Sequence, residues 1–140
     1  MKFFNSHHVD EMYDTVVLLI RDSVSHAKHG NVNRVWLNDM KISTCLRRIL
    51  RSYKHLNNDS SLHVLRGSLE QLVHVKGGLN EYSNFFENNI SVLNSEHVVR
   101  SATDGYLNEF VSAQYSILGM CKTIVDSRIR ICESKHSHLI

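Results

Sequence analysis

The feature that most constrains the fold of this chain is a seven-residue repeat of large apolar side chains. The repeat consists of Leu65, Leu72, Leu79, Phe86 and Leu93. Most of the complementary positions three or four residues away are also apolar, namely Leu62, Leu69 and Ile90. Such a seam occupies one side of a long helix that packs against another helix. The sequence therefore predicts a helix from Leu62 to Leu93 within an assembly of helices.

The seam has one weak place, at the adjacent glycines Gly77 and Gly78. There the complementary positions become Lys76 and Ser83, and each glycine costs a helix about 1 kcal/mol relative to alanine. The leucine spacing nevertheless continues in phase on both sides. We therefore predict a continuous helix with a kink near Gly77, with a break into two helices as the alternative.

The composition of the chain is that of a folded helical protein. Its 140 residues suffice for one domain with a single core, and 42% of them are hydrophobic. Proline is absent, although average usage predicts about seven in a chain of this length. No apolar run approaches the roughly 20 residues of a membrane span. We expect a single helical-bundle domain over residues 1–140, with a frayed tail at 135–140 and no membrane contact.

Three other helices follow from apolar spacing and from residues that favour helix ends. The first begins after Asn5 and Ser6 and ends at Gly30, and the second extends from Val32 to Leu56. A polar turn at 57–60 leads into the third helix. The fourth extends from Glu96 to Glu133 and carries two apolar rows. The first row is Val99, Ala102, Tyr106, Phe110, Ala113, Ile117, Met120, Ile124 and Ile131, and the second is Leu107, Val111, Leu118, Cys121 and Val125.

Short connections between these segments favour an all-α, up-and-down bundle of about four long antiparallel helices. The third and fourth helices are longer than the first two, so part of their apolar length lacks a neighbour within an equal-length bundle. We therefore expect a homo-oligomer or a protein partner. The three cysteines, Cys45, Cys121 and Cys132, lie in no paired spacing. They favour buried free thiols and a cytoplasmic location.

The second helix concentrates the positive charge of the chain. Its apolar residues fall within one narrow arc, which consists of Val35, Ile42, Leu46, Ile49, Tyr53 and Leu56. Its basic residues fall on the opposite side, namely Arg34, Lys41, Arg47, Arg48, Arg51 and Lys54. Six basic residues and one acid, Asp39, give this segment a charge of +5, whereas the whole chain is +2. The remainder is therefore −3.

This basic face is the candidate binding site, with Trp36 near the same side. Three interpretations are open: a solvated face balanced by acids on neighbouring helices, a docking face for an acidic protein, and a nucleic-acid-binding face. No nucleic-acid-binding motif accompanies it, and the pI near 8.5 lies below the value above 9 typical of nucleic-acid-binding domains. We predict a non-enzymatic binding protein, such as an adaptor, inhibitor or accessory factor.

Ten histidines make a metal site worth testing. His7, His8 and Glu11 share one helix face at the closest spacing. A carboxylate-bridged bundle centre needs Glu-x-x-His on two helices, and the chain has one such segment, Glu133-Ser134-Lys135-His136. We therefore assign no metal ligand, no cofactor and no catalytic residue.

Two short segments resemble functional motifs of helical families. His74-Val75-Lys76-Gly77-Gly78 resembles the histidine phosphotransfer module, a four-helix bundle in which the phosphoaccepting histidine is followed by lysine and glycine. Here lysine follows His74 by two positions, whereas that family places it three beyond. Arg48 and His55, with six residues between them, resemble the motif of the helical HEPN ribonucleases. That resemblance implies RNA cleavage as a further alternative.

Overall fold

The computed structural model describes residues 4–56, 61–95 and 100–138, and this part of the chain contains helices and no strand. Helix α1 comprises Ser6–Lys28, α2 Val32–Tyr53, α3 Leu62–Ser95 and α4 Arg100–His138. The prediction of an all-α bundle of four long helices is therefore confirmed. The turn predicted at 57–60 and the predicted start of α4 at Glu96 lie outside the described residues, as do the side chains of Ile90 and Leu93.

Local chemistry sets the turn between α1 and α2. The side chain of Asn5 accepts a hydrogen bond from the backbone N–H of His8 at 3.1 Å, which caps α1 as predicted. Gly30 has φ 75, a backbone conformation that side chains with a Cβ rarely adopt. Asn31 then caps α2 by accepting from the N–H of Arg34 at 3.3 Å. The two helices are thereby joined as a tight hairpin.

Helix α3 continues without a break through Gly77 and Gly78. Helix α1 packs against this point, since a Cβ at Gly78 would lie 3.5 Å from Cδ1 of Ile20, an ordinary van der Waals distance. The packing of α1 against this point compensates for the low helix propensity of glycine. Of the two sequence alternatives, the continuous helix is the one that forms.

The helices alternate in direction along the chain. They form two layers, one of α1 and α2 and the other of α3 and α4. In the described part, α1 lies beside α2 and α3, and α4 lies beside α3 and α2. Helices α1 and α3 therefore run parallel, as do α2 and α4, while α1–α2 and α3–α4 are antiparallel hairpins. Helices α2 and α3 lie across a diagonal of the bundle from each other. As a result, the solvent-facing side of α2 points away from α3.

The core contains every apolar residue of the predicted arc of α2 and the predicted α3 seam through Phe86. The first apolar row of α4 is corrected, since Ala113 and Met120 are exposed. Helix α4 packs against both α2 and α3, so its core side is the direction between the two predicted rows. That direction places Gln114 in the interior, with 2% of its surface exposed.

Helix α4 continues to His138. Residues 135–138 of the segment expected to fray are therefore helical. None of the helices in the described part of the chain is long and apolar enough to cross a membrane.

Candidate docking surface on helix α2

All six predicted basic side chains of α2 are exposed to solvent, while the apolar arc on the other side of the helix is buried. The same 3.6-residue periodicity produces both faces. Trp36 differs from the expectation that it would lie on the basic side, because it is half-buried and packs against the core. Part of its surface therefore belongs to the packing of the bundle.

Arg34 is the basic residue of α2 that meets an acid. Its Nε lies 3.5 Å from Oδ2 of Asp22 on α1. Asp22 also accepts a hydrogen bond from Nδ2 of Asn38 at 2.8 Å and lies 3.4 Å from the ring of His26. The hydrogen bond from Asn38, together with the nearby His26 and Arg34, holds the pKa of Asp22 below its usual value. Arg34 thus belongs to a structural network between α1 and α2.

The other five basic residues keep their charge uncompensated. Within the described chain, no carboxylate forms an ion pair with Lys41, Arg47, Arg48, Arg51 or Lys54. Arg47 donates instead to the hydroxyl of Ser43 on its own helix, at 3.0 Å. Among the described residues, Arg34 is therefore the one basic side chain of this face that forms an ion pair with a neighbouring acid.

Two aliphatic side chains lie exposed among these charges. Leu37 is 43% exposed and Met40 is 68% exposed. At 100° per residue, both project into the same solvent-facing half of α2 as Arg48 and Arg51. We define the α2 docking face as Leu37, Met40, Lys41, Arg47, Arg48, Arg51 and Lys54. Its charges and its apolar patch extend over about 25 Å of helix.

A groove borders the docking face where α2 meets α4. It has a volume of about 400 Å³ and contains Met40, Thr44 and Arg47 on the side of α2 and Glu109 and Ala113 on the side of α4. The exposure of Ala113 is what opens this groove, since a larger side chain there would fill it. The α2 docking face thus has a concave edge next to its aliphatic residues.

Sequence analysis did not find the buried polar groups behind this face. Asp39 is 2% exposed and accepts a hydrogen bond from the hydroxyl of Tyr82 on α3 at 2.5 Å. Because α2 and α3 lie on a diagonal, this bond crosses the centre of the bundle. On a helical wheel, Asp39 falls close to the buried arc of α2, and that position was the available signal. The one acid of the segment is therefore buried and bonded to Tyr82, and it also lines the groove beside the docking face.

The geometry separates the residues that resemble a phosphotransfer motif. His74 lines a polar cavity of about 560 Å³ between α1 and α3, whereas Lys76 lines a different groove between α3 and α4. The two side chains therefore lie on different sides of α3, as a spacing of two residues requires. Lys76 is not placed to support a phosphate on His74.

The remaining candidate sites do not assemble either. Arg48 and His55 are both exposed, about 10 Å apart along the helix direction, and no hydrogen bond joins them in the described chain. His7 lies 3.1 Å from Glu11. Among the described residues there is no group of three His, Cys, Asp or Glu side chains that could hold a metal ion.

Comparisons of the chain with models of protein families, with curated proteins and with solved structures found no significant match. The chemistry of its surfaces is therefore what indicates its function.

Proposed function

We propose that this protein is a non-enzymatic binding protein and that its α2 docking face recognises an acidic protein partner. The observation that supports this proposal most directly is the set of five exposed basic side chains without a described acidic partner, on the same face of α2 as the exposed Leu37 and Met40. Unpaired surface charge accelerates association with a surface of opposite sign. The two aliphatic side chains supply area that loses contact with water on docking.

The mixture of side chains favours a protein over a nucleic acid as the partner. Arginine and methionine are enriched in protein interfaces, and this face presents both, with Leu37 and Met40 at one end and the arginines towards the other. A phosphate backbone would engage the arginines but would leave Leu37 and Met40 without a counterpart. The partner expected for this face is therefore an acidic segment with an apolar stripe, such as an amphipathic helix.

The proposal is tested with two synthetic peptides of equal negative charge, one with an apolar stripe at helical spacing and one with that stripe replaced by serine. Fluorescence anisotropy should show that the striped peptide binds more tightly. Replacing both Arg48 and Arg51 by glutamate should weaken this binding by about tenfold or more, which corresponds to about 1.4 kcal/mol. Replacing Leu37 and Met40 by serine should remove the preference for the striped peptide.

A matched control changes the same charge elsewhere. Arg21 on α1 and Arg130 on α4 are also exposed, so their double replacement by glutamate likewise takes the net charge from +2 to −2. This variant should bind the striped peptide nearly as the native protein does. Equal weakening by both double variants would mean that net charge, and not the α2 docking face, drives binding.

A nucleic-acid duplex is the second probe. Phosphate contacts make affinity fall steeply with salt, by about 10³ or more between about 50 and 200 mM for six or more contacts. Tight duplex binding with this salt dependence, together with no binding of either peptide, would assign the face to nucleic acid and refute the proposal.

Self-association is a second proposal, and a separate observation favours it. Leu18 on α1 is 63% exposed and Met120 on α4 is 49% exposed, so large apolar side chains face solvent away from the α2 docking face. Light scattering behind size exclusion should give a mass above that of one chain. Leu18→Ser with Met120→Ser should lower this mass, whereas a monomeric native protein would refute self-association.

A further inference from the structure

A second groove lies between α3 and α4, away from the α2 docking face. We define the α3–α4 groove by Leu69, Leu72, Val73, Lys76, Asn80, Tyr115, Leu118, Gly119 and Lys122. Leu72 and Leu118 are each only 5% exposed and form its floor, while Val73 is 71% exposed. Its volume of about 580 Å³ falls within the range of roughly 300–1,000 Å³ that is usual for small-molecule sites.

Polar side-chain pairs bridge the two helices at one end of this groove and beyond its other end. At one end, the hydroxyl of Tyr115 donates a hydrogen bond to Oδ1 of Asn80. At the other end, Nη2 of Arg66 lies 3.4 Å from Oε1 of Glu133. Because α3 and α4 are antiparallel, the apolar part lies between these bridges, over about 20 Å of helix. The groove is therefore bounded in length, so it suits a small molecule better than an extended polypeptide.

The groove also has a charged rim. Lys76 forms no ion pair within the described chain, and Lys122 pairs with Asp126 at 2.7 Å. Two lysines against one aspartate leave a charge of +1 at the rim. Lys76 has a free ammonium group above an apolar floor, and a single negative charge on an apolar ligand complements it.

Gly119 leaves space inside the groove. A Cβ at this position would meet no atom within 4 Å, so the backbone of α4 borders the open volume directly. A larger side chain there could enter the groove without displacing the core. The groove can therefore be blocked with little disturbance to the fold.

We propose that the α3–α4 groove binds an amphipathic monoanion of the long-chain carboxylate class. Its acyl chain lies on Leu69, Leu72, Val73 and Leu118, and its carboxylate accepts a hydrogen bond from the ammonium group of Lys76. The apolar floor provides affinity by removing methylene groups from water, and the lysine selects an anionic ligand over a neutral one.

The test uses two ligands of equal chain length, laurate and dodecanol, below the concentrations at which they aggregate. Isothermal titration calorimetry on the full chain should show saturable binding of one laurate and binding of dodecanol that is about tenfold or more weaker. Absence of saturable laurate binding would overturn the proposal.

Two substitutions separate the apolar and the charged contributions. Gly119→Leu should weaken both ligands by about tenfold or more, with Gly119→Ala intermediate. Lys76→Glu should weaken laurate to a similar degree and leave dodecanol unchanged. Unaltered laurate binding in Gly119→Leu would place the ligand elsewhere, and equal sensitivity of both ligands to Lys76→Glu would remove the lysine from the site.

Matched controls exist for both substitutions. Gly77 lies on α3 outside the groove and also has no atom within 4 Å of a Cβ, so Gly77→Leu gives the same gain in helix propensity without blocking. Arg21→Glu makes the same charge change on α1, outside both the groove and the α2 docking face. Both controls should bind laurate as the native protein does. If native dimers form without ligand and dissociate in Gly119→Leu but not in Gly77→Leu, the groove is covered by a second copy and the proposal is overturned.

Discussion

Two buried tyrosines form hydrogen bonds at opposite halves of the bundle, and their partners differ in charge. Tyr13 on α1 meets the hydroxyl of Tyr53 on the neighbouring α2 at 2.7 Å. Tyr82 on α3 donates to the carboxylate of Asp39 across the diagonal at 2.5 Å. Aromatic rings surround both bonds, since Phe4 stacks on Tyr53 and Phe86 packs against Tyr82. The packing is therefore similar, and the electrostatics are different.

The difference shows how the two halves obtain their stability. A neutral hydroxyl pair loses little when it is buried, whereas a carboxylate requires donors in place of water. The half that contains Asp39 also holds buried oxygens for which the described structure offers no hydrogen-bond donor, namely Oγ of Ser23, Oδ1 of Asn38 and Oε1 of Gln114. The Tyr82 bond therefore protects the more demanding half of the bundle.

The largest effect is expected for Tyr82→Phe, which removes a donor from a buried carboxylate. The free energy of unfolding should fall by about 1.5–3 kcal/mol, the range for hydrogen bonds to charged groups. Urea unfolding at neutral pH measures this loss. If the loss is no greater than that of Tyr13→Phe, the carboxylate of Asp39 does not make its hydrogen bond contribute more to stability than the bond between the two tyrosines.

Alkaline pH should destabilise the half of the bundle that contains Tyr13 and Tyr53. Burial raises the pKa of Tyr53 to about 12 and also raises the pKa of Tyr13. Both hydroxyls therefore stay protonated in the folded state where the unfolded chain ionises them. Their stabilising contribution is complete below pH 10 and is lost above it, by about 1.4 kcal/mol per pH unit for each tyrosine.

Urea midpoints measured from about pH 8 to about pH 11 would reveal this slope. Cys121, whose pKa burial raises to about 12, adds a slope that starts at lower pH, so the measurement is best made in Cys121→Ala. Tyr13→Phe should then reduce the slope above about pH 10 by about 1.4 kcal/mol per pH unit. An unchanged slope in Tyr13→Phe would contradict the assignment.

Tyr13→Phe itself should have a smaller effect at neutral pH. The variant removes one partner of a neutral pair, and Tyr53 keeps its interaction with the hydroxyl of Ser68. We expect a loss of about 0.5–1.5 kcal/mol in the free energy of unfolding. Thermal unfolding of Tyr13→Phe and Tyr82→Phe, measured side by side, compares the two losses. A larger loss of stability in Tyr13→Phe than in Tyr82→Phe would contradict this expectation.

The smallest effect is expected for Gln114→Met. The amide of Gln114 donates to the carbonyl of Phe110 at 3.1 Å, but its oxygen is buried without a donor in the described structure. Replacing it with an apolar side chain of similar volume should change the free energy of unfolding by less than about 1 kcal/mol. A loss as large as that of Tyr82→Phe would indicate that Gln114 belongs to the same polar network.

Much of the fold could be predicted because it depends on local patterns. The apolar arc of α2 and the seam of α3 each contain one kind of side chain at helical spacing, so periodicity identified their buried faces. Asn5 caps the start of α1 and Gly30 forms the turn after it, and both effects involve only residues nearby in the sequence. For the candidate site, the exposure of the six basic residues followed from the same period, whereas the half-buried position of Trp36 depends on where the neighbouring helices lie.

The features that were missed depend on residues far apart in the sequence. The burial of Asp39 depends on Tyr82, 43 residues away, so its helical-wheel position close to the buried arc could not show which side chain would pair with it. Gln114 is internal because α4 packs against both α2 and α3. The buried side of α4 therefore lies between its two apolar rows, and the spacing of either row alone does not predict this position. The α3–α4 groove combines Lys76 and Lys122 from separate helices, and only their packing brings them to one surface.

The pairing of helices into two hairpins also determines the order in which the chain can fold. Contacts between α1 and α2 begin next to the tight turn at Gly30, and they need little loop closure before they are formed. Contacts between the hairpins form only when both are present. The bond from Tyr82 to Asp39 belongs to this docking step, so its removal should accelerate unfolding more than it slows folding.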